Sequence, residues 1–493
     1  MKKYILSMAS VTAIGILIQS GCGGRGGVTT LHVTTAPGTI AVFGGDAPHC
    51  SNVVSFVVTI SGLTLTPQSA SSPISILPAG QAVTVDFASL MDFATMLSIS
   101  NVTPGTYDAL GITLANPQLT YVDTSTTPPS LKTIAPTMSS FTINLNLNPA
   151  ITISSNGTVG LQLDFNLLNS VSAGSNNQFT VTPTFTASSA SASGSNGFVE
   201  FDDLRGLVQS VSASSTNPSF VGSFTITSPS APTFTVYITS STGFVGVPAL
   251  SGLSAGTYVE IAAFLNANAN IVANTVVAEG QEDEADGKAA FGGLITSVTP
   301  QSGNATQFNL LVQRENPDMS SRVPLFSTLT FNIVPSSTTF GLTAQAADFT
   351  SFSYGPTNLA VGQRVVVQGT LPSGSGTTQT ATARSVFLGL QSILGNLSTN
   401  PSTPVNTTTD GVDGGFMLVP CSTLFRPAQI TVLSASQTVF SGISNLYSLE
   451  TAGTHFLLVK GLLFGEQSTT SYGVESWTVP ANVQVATQVH QLP

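Results

Sequence analysis

The stretch Val53-Val54-Ser55-Phe56-Val57-Val58-Thr59-Ile60 decides the fold class. Nearly all of its residues are β-branched or aromatic, which favours an extended strand. Comparable short segments follow, bounded by Gly, Pro, Asn and Ser, at 82–87, 106–113, 141–147 and 159–165. Short strands at this spacing predict an all-β chain made of sandwiches or barrels. Only the segment 89–99 places its apolar residues at helical spacing, and there we expect a short helix.

Charge is scarce along the whole chain. Only 7% of the 493 residues are charged, and the net charge is -11, whereas soluble domains carry about 25% charged residues. This composition excludes a coiled coil, a disordered acidic tail and a basic nucleic-acid-binding protein, so nucleic acid is not an expected partner. The length predicts about three or four domains at roughly 150 residues each.

The first 22 residues have the layout of a lipoprotein signal peptide. Lys2 and Lys3 precede an apolar run over 5–18, which is shorter than the roughly 20 residues of a membrane span. The sequence at 19–22, Gln-Ser-Gly-Cys, resembles a bacterial lipobox, in which the cysteine is acylated. Lipoboxes prefer leucine where this chain has Gln19, so a plain secretory signal is the alternative. Acylation of Cys22 predicts that the partner at this end is a membrane.

The residues after Cys22 point to a tether in the cell envelope. Residues 23–29 are rich in glycine, which is typical of a flexible linker between an anchor and a folded domain. Gly23 stands where an aspartate would favour retention in the inner membrane. We therefore expect an envelope protein anchored in the outer membrane.

Two further cysteines, Cys50 and Cys421, lie far apart in the sequence. In an oxidising compartment they are able to form a disulfide. The sequence does not give the distance between them, so two buried, unpaired thiols remain the alternative.

A Thr-x-Phe motif occurs three times in the second half of the chain. It is found at 242–244, 338–340 and 438–440. Each copy is followed by a turn running from a leucine to a glycine and then by a strand, with glycines at the strand borders. Small curved barrels use glycines in this way at their corners. The pattern predicts three tandem β-barrel-like repeats.

Four segments in the N-terminal part resemble a family of bacterial envelope proteins known as domain of unknown function 4382. They lie at 56–65, 102–107, 114–119 and 160–165. The repeated unit is similar to a second family, domain of unknown function 5666, and the pairing resembles an arrangement found in Acidobacteria. The resemblance implies an immunoglobulin-like or transthyretin-like sandwich followed by small barrels. Neither family brings a known reaction, so no catalytic residue and no cofactor is implied.

The domain boundaries follow from these patterns. We expect a signal peptide and anchor cysteine over 1–22, a tether over 23–29 and a β-sandwich over 30–187. A linker rich in Ser, Ala and Gly separates the sandwich from the repeats. It spans 188–199, and the three repeats span 200–282, 283–390 and 391–493.

The acidic clusters are weak candidates for calcium sites. One contains Glu279, Glu282, Asp283, Glu284 and Asp286. Calcium prefers several carboxylates, but the spacing does not match an EF-hand, and a solvated linker is the simpler interpretation.

Two further groups are equally weak candidates for metal sites. Asp410 and Asp413 are expected to form an ordinary turn. Asp46, His49 and Cys50 lie close together but lack the second ligand pair of a zinc site. We therefore commit to no metal site.

The segment 252–256 reads Gly-Leu-Ser-Ala-Gly and matches the G-x-S-x-G nucleophile elbow of hydrolases. That elbow needs a helix after the serine, whereas the residues that follow Ser254 predict a strand. We interpret the segment as a structural turn.

These features favour a non-enzymatic envelope protein with a structural, adhesive or scaffolding role. Its expected partners are an envelope protein or a polysaccharide. The alternative is a module that binds a glycan or peptide, and a secreted hydrolase is a remote third. One Trp and eight Tyr against 28 Phe provide few aromatic platforms for sugars.

Overall fold

The computed structural model describes residues 36–492 with gaps, and everything below concerns these residues. The gaps fall at 71, 126–129, 175–177, 191–199, 214, 216, 229–230, 282–286, 301–302, 316–318, 320–321, 344–352, 374–378, 399–404, 408–413, 423–428, 447, 450–455, 466–469, 473–474 and 478–481.

The N-terminal region is a β-sandwich. Its strands are β1 Gly38–Asp46, β2 Val53–Pro67, β3 Ile74–Ser75, β4 Val83–Asp86, β5 Thr95–Val102, β6 Gly105–Asp123, β7 Ser130–Ile134, β8 Thr137–Met138, β9 Thr142–Ile153, β10 Thr158–Phe165, β11 Val171–Ala173, β12 Phe179–Val181 and β13 Phe185–Ala190. One sheet has the order β13-β10-β1-β5. The other has the order β3-β2-β6-β7, with β4 on β2 and β9 on β6, and a small third sheet has the order β11-β12-β8.

Phenylalanines fill the space between the two large sheets. Phe56 of β2 stacks on Phe165 of β10 with ring centroids 5.2 Å apart. Phe87 and Phe185 pack against the same Phe165 ring, each at 4.9 Å. All four are buried. The alternation of buried and less buried residues along β2 and β10 arises because neighbouring side chains on a strand point to opposite faces.

The C-terminal region contains three small barrels. Barrel 1 is built from β14 Glu200–Ser212, β15 Gly222–Ser228, β16 Ala231–Ile238, β17 Gly243–Val245, β18 Thr257–Leu265 and β19 Ile271–Gln281. Barrel 2 is built from β20 Lys288–Thr299, β21 Gln307–Glu315, β22 Thr328–Ile333, β23 Thr339–Leu342, β24 Arg364–Thr370 and β25 Gln379–Leu388. Barrel 3 contains β26 Leu390–Leu397, β27 Val405–Thr407, β28 Gly414–Pro420, β29 Ile430–Ser434, β30 Val439–Ser441, β31 Phe456–Phe464 and β34 Val483–Gln491, beside the hairpin of β32 Thr470–Tyr472 and β33 Glu475–Trp477.

The three barrels share one topology. In barrel 1 the strands follow each other around the barrel as β14-β15-β16-β19-β18, and β18 pairs with β14 to close it. The β16–β19 pair is parallel. Barrels 2 and 3 repeat this order, with parallel pairs β22–β25 and β29–β34. A five-stranded barrel with this order, first-second-third-fifth-fourth, has the OB-fold topology. The predicted all-β class, with an N-terminal sandwich followed by small barrels, is confirmed.

The Thr-x-Phe motif fastens a short strand to the last strand of each barrel. The threonine hydroxyl accepts an amide N–H from the preceding turn and donates to an alanine carbonyl on the last strand. For Thr242 the partners are Thr239 N at 3.0 Å and Ala273 O at 2.8 Å. For Thr338 they are Val334 N at 3.0 Å and Ala383 O at 2.8 Å, and for Thr438 they are Ala435 N and Ala486 O, both at 2.9 Å.

The repeated glycines allow neighbouring strands to approach closely at the barrel corners. A Cβ atom on Gly293 of β20 would overlap the Leu311 carbonyl oxygen of β21. A Cβ atom on Gly461 of β31 would overlap the Val485 carbonyl oxygen of β34. Only glycine lacks this atom, which explains its recurrence at these positions.

The prediction of a helix over 89–99 is wrong. A 3₁₀-helix covers Phe87–Leu90, and β5 begins at Thr95. β5 pairs antiparallel with β1, with Val42 opposite Ser98. The hydrogen bonds between β5 and β1 stabilise a strand here, although the apolar residues have helical spacing. Further short helices are the 3₁₀-helices Leu250–Gly252 and Pro356–Asn358 and the α-helix Leu167–Ser170.

Buried glutamines join barrel 2 to barrel 3. The Gln363 side chain, fully buried before β24, donates to Leu463 O of β31 at 2.8 Å and to Asn358 O at 2.7 Å. Gln391 of β26 donates to Gly362 O at 2.9 Å and accepts from Arg364 N at 2.9 Å. Buried amides with partners on both sides fix one relative position of the two barrels.

The sandwich also contacts the barrels. The Phe43 ring of β1 lies 5.4 Å from the Phe201 ring of barrel 1. Gln313 of barrel 2 donates to Asp86 Oδ2 of the sandwich at 3.2 Å. None of the helices in the described part of the chain is both long enough and apolar enough to cross a bilayer.

Candidate ligand-binding cleft

A disulfide ties the sandwich to barrel 3. The Sγ atoms of Cys50 and Cys421 are 2.07 Å apart, and their Cα atoms are 5.3 Å apart. Cys50 lies in the loop between β1 and β2, and Cys421 directly follows β28. The bond therefore connects two regions separated by 371 residues. In the structure the two cysteines are bonded to each other and are not free thiols.

A buried Asp–His pair lies beside the disulfide. His49 Nδ1 is 3.0 Å from Asp46 Oδ2 at the end of β1, and both side chains are buried. The other carboxylate oxygen of Asp46 accepts the N–H of Leu167 at 3.1 Å. Since Asp46 and His49 bind each other and Cys50 is in a disulfide, these three residues do not form a zinc site. In the described part of the chain, no group of three His, Cys, Asp or Glu residues is placed to hold a metal ion.

Burial dominates the electrostatics of Asp46. Removal from water raises the pKa of its carboxyl group to about 6, although His49 and the Leu167 N–H both lower that pKa. The nearby carboxylate of Asp164 raises it slightly further. Burial also raises the pKa of Asp164 above its ordinary value. Exclusion of water disfavours the ionised form of a carboxyl group and so raises its pKa.

The turn before β5 places a phenylalanine ring against two cations. Lys460 Nζ of barrel 3 lies 4.0 Å from the centroid of the Phe93 ring, and Arg364 Cζ of barrel 2 lies 5.0 Å from it. Lys460 also donates to Asp92 O at 3.0 Å. Asp92 has a φ of 61°, a conformation that asparagine and aspartate adopt more readily than most residues. This turn therefore links the sandwich to both barrels by cation–π contacts.

An open cleft of about 410 Å³ lies between the sandwich and barrel 3. The sandwich side is formed by the end of β1, the turn at 92–94 and the β10 residues Gln162 and Asp164. The barrel side is formed by β31 and β34. Its lining residues there are Leu458, Lys460, Gln488 and His490. The cleft thus combines carboxylates, amides, an ammonium group and an imidazole around one space.

A second pocket, of about 280 Å³, lies at one end of the sandwich. Tyr121 and Phe179 line it with their rings 4.6 Å apart. Asp123 also lines it and binds Lys132 and both the N–H and the hydroxyl of Ser125. Hydrogen bonds from Lys132 and Ser125 lower the pKa of Asp123 to about 2. The pocket therefore presents aromatic carbon beside a carboxylate whose ionised form is stabilised by hydrogen bonds.

Several predicted site residues lie outside the described residues. These are Cys22, Glu282, Asp283, Glu284, Asp286, Asp410 and Asp413, while Glu279 is placed only as part of β19. Ser254 is described and lies in a turn: its N–H donates to Thr257 Oγ1 at 3.3 Å, and β18 begins at Thr257. A strand, not a helix, follows the serine, as the sequence predicted.

Apart from Asp46, the sequence did not single out the cleft residues, because they come from strands far apart in the chain. Asp164, Lys460 and Gln488 lie in three different segments that only the fold brings together. One signal was available. Lys460 is the only charged residue in β31, Phe-Leu-Leu-Val-Lys-Gly-Leu-Leu-Phe. A lone charge in an apolar strand points to a partner or a site at that position.

Two family models match this chain, and both families are of unknown function. Residues 37–183 match the family described as Domain of unknown function (DUF4382). Residues 205–276, within barrel 1, match the family described as Domain of unknown function (DUF5666). No curated protein matches the chain.

A solved structure, drosophila Unr CSD456, shares 10% sequence identity with the chain. It covers 59% of this chain and 96% of its own, with a TM-score of 0.14. A TM-score this low supports no conclusion about the fold or the function of the chain. The chain thus carries a segment that matches DUF4382, on the sandwich, followed by a segment that matches DUF5666, on the first of three like barrels.

Proposed function

We propose that the protein is a non-enzymatic, lipid-anchored scaffold of the cell envelope that is held through Cys22 and binds an envelope component. The observation that carries the proposal is the Cys50–Cys421 disulfide. Such bonds persist in oxidising compartments outside the cytoplasm and are rare inside it. The disulfide thus supports export of the chain independently of its N-terminal sequence.

The contacts between regions favour a scaffold. The disulfide, the Phe93 turn and the buried Gln363 and Gln391 side chains join the sandwich to barrels 2 and 3. Contacts of this kind hold binding surfaces in fixed positions relative to one another.

Metabolic labelling tests the anchor. The full chain is expressed in a Gram-negative host with an alkyne analogue of palmitate. We expect label on the wild-type protein in the membrane fraction and none on Cys22→Ser. Cys421→Ser is the matched control, because it removes a cysteine elsewhere and keeps the label. Equal labelling of wild type and Cys22→Ser would overturn the lipid anchor.

Recognition of a ligand by the sandwich alone is a second candidate function, favoured by the pocket that Tyr121 and Phe179 line. Aromatic rings beside an ionised carboxylate suit a ligand with a cationic or hydroxylated group on an apolar body. Peptide and glycan arrays with the full chain test this function. Binding that is lost in Phe179→Ala would support it, and binding that is unchanged in that variant would refute it.

A further inference from the structure

The walls of the cleft between the sandwich and barrel 3 are strand faces that point into the same space. Each strand contributes two side chains separated by one residue, which therefore lie on the same face. The pairs are Gln162 and Asp164 on β10, Leu458 and Lys460 on β31, and Gln488 and His490 on β34.

The strand register places the barrel side chains next to one another. Lys460 is directly opposite Gln488, and Leu458 is directly opposite His490. Cross-strand neighbours have Cβ atoms about 5 Å apart. The barrel wall is therefore a compact patch with an ammonium group, an amide and an imidazole around one leucine.

A glycine lies beside the polar side chains of the sandwich wall. Gly45 of β1 pairs directly with Asp164 of β10. A Cβ atom on Gly45 would lie 2.9 Å from Gln162 Nε2 and 3.8 Å from Asp164 Oδ1. Glycine therefore leaves the space over β1 into which the two polar side chains extend. The sandwich wall is thereby shaped to present an amide and a carboxylate.

Charges in the cleft are mixed rather than of one sign. Asp46, Asp92 and Asp164 line one side, and the Lys460 ammonium group lies on the other. Asp46 is held by His49, and Lys460 is held over the Phe93 ring. A strongly charged ligand of either sign would meet a like charge here, which disfavours it.

We propose that this cleft binds a neutral, polyhydroxylated ligand, a segment of a saccharide chain. Hydroxyl groups both donate and accept hydrogen bonds. Gln162, Gln488 and His490 are able to do both, while Asp164 accepts and Lys460 donates. A volume of about 410 Å³ lies within the range of small-molecule sites. The inference deepens the proposed function and rests on it, because it names the envelope component as a saccharide.

Calorimetric titration of the full chain with cellohexaose, maltohexaose and chitohexaose tests the proposal. We expect at least one of them to bind with a Kd of about 1 mM or tighter. Gln162→Ala and Gln488→Ala are expected to weaken that binding at least about tenfold. Both side chains are only half-buried on strand faces, so these variants keep the fold. Gln178→Ala, which is exposed and outside the cleft, serves as the control and leaves Kd unchanged.

Three results would overturn the proposal. They are no binding of any of the three hexasaccharides, binding that is unchanged in both cleft variants, and binding of a Ser-Gly hexapeptide in place of the saccharides. Failure here is distinguishable from failure of the proposed function, because palmitate labelling and the disulfide are measured separately. A chain that carries acyl label and the disulfide but binds no hexasaccharide would be an envelope scaffold with a different partner.

Discussion

Replacing Gln363 by methionine is expected to loosen the junction between barrels 2 and 3. The side chain is fully buried and makes three hydrogen bonds. Its Oε1 accepts from Ala360 N at 2.8 Å, and its Nε2 donates to Asn358 O at 2.7 Å and to Leu463 O at 2.8 Å. Methionine is unbranched and similar in length, so it removes the polar atoms with little change in shape.

The magnitude follows from the groups that lose a partner. Asn358 O also accepts from Gly465 N at 2.7 Å and so remains satisfied. The Ala360 N–H loses its acceptor, and a buried amide without a hydrogen bond costs about 1–3 kcal/mol. Each of the two bonds made by Gln363 Nε2 contributes about 1 kcal/mol. The apolar methionine recovers part of this. We expect the free energy of unfolding to fall by about 3 kcal/mol.

Urea denaturation gives this free energy, and hydrogen exchange measured by mass spectrometry shows where it is lost. Exchange should accelerate in peptides that cover 358–363 and 463–465, because local opening becomes easier there. Gln178→Met, at an exposed position, is the control and should stay within about 0.5 kcal/mol of wild type. A Gln363→Met variant as stable as this control, with unchanged exchange at both segments, would refute the assigned role of the glutamine.

Three further predictions concern single side chains. The Asp46 pKa of about 6 in the folded state exceeds the ordinary 3.8, so the folded chain binds more protons between these values and stability falls as pH rises through them. In the wild type this lowers the free energy of unfolding by about 3 kcal/mol between pH 4 and pH 6.5, and Asp46→Asn should remove that fall. Parallel curves of stability against pH for the variant and the wild type would contradict this. Thr338→Val should lower the free energy of unfolding by about 1–3 kcal/mol, because Val334 N and Ala383 O lose their partner. Thr338→Ser keeps the hydroxyl and should keep wild-type stability in urea denaturation. Equal stability of the two variants would count against the hydroxyl's role. Phe93→Leu should cost about 2 kcal/mol by loss of its contacts with Lys460 and Arg364, and a thermal midpoint matching wild type would speak against those contacts.

Local patterns predicted the strands and the barrels well. The β-branched run at 53–60 lies in β2, and the repeated Thr-x-Phe and glycine positions lie at equivalent places in the three barrels. These features depend on short-range chemistry, namely strand propensity and the need for glycine where backbones approach closely. The sequence pattern alone was therefore sufficient for the fold class.

Long-range features were beyond the sequence pattern. The segment 89–99 has helical spacing, yet β5 forms there because β1 offers a partner strand. The cleft brings Asp164 and Lys460 together from positions almost 300 residues apart. Nothing local to either residue specifies the other. The disulfide partners were named from the cysteine count, but only the fold brings their Cα atoms to 5.3 Å.

The most direct measurement is peptide mapping of the full chain isolated from the cells that make it, with free thiols alkylated before digestion and no reductant added. A covalently linked peptide pair containing Cys50 and Cys421, with neither residue alkylated, is the predicted result. It would show that the sandwich is joined to barrel 3 in an oxidising compartment. Alkylated Cys50 and alkylated Cys421 in separate peptides would contradict both the joined architecture and the assignment to the envelope.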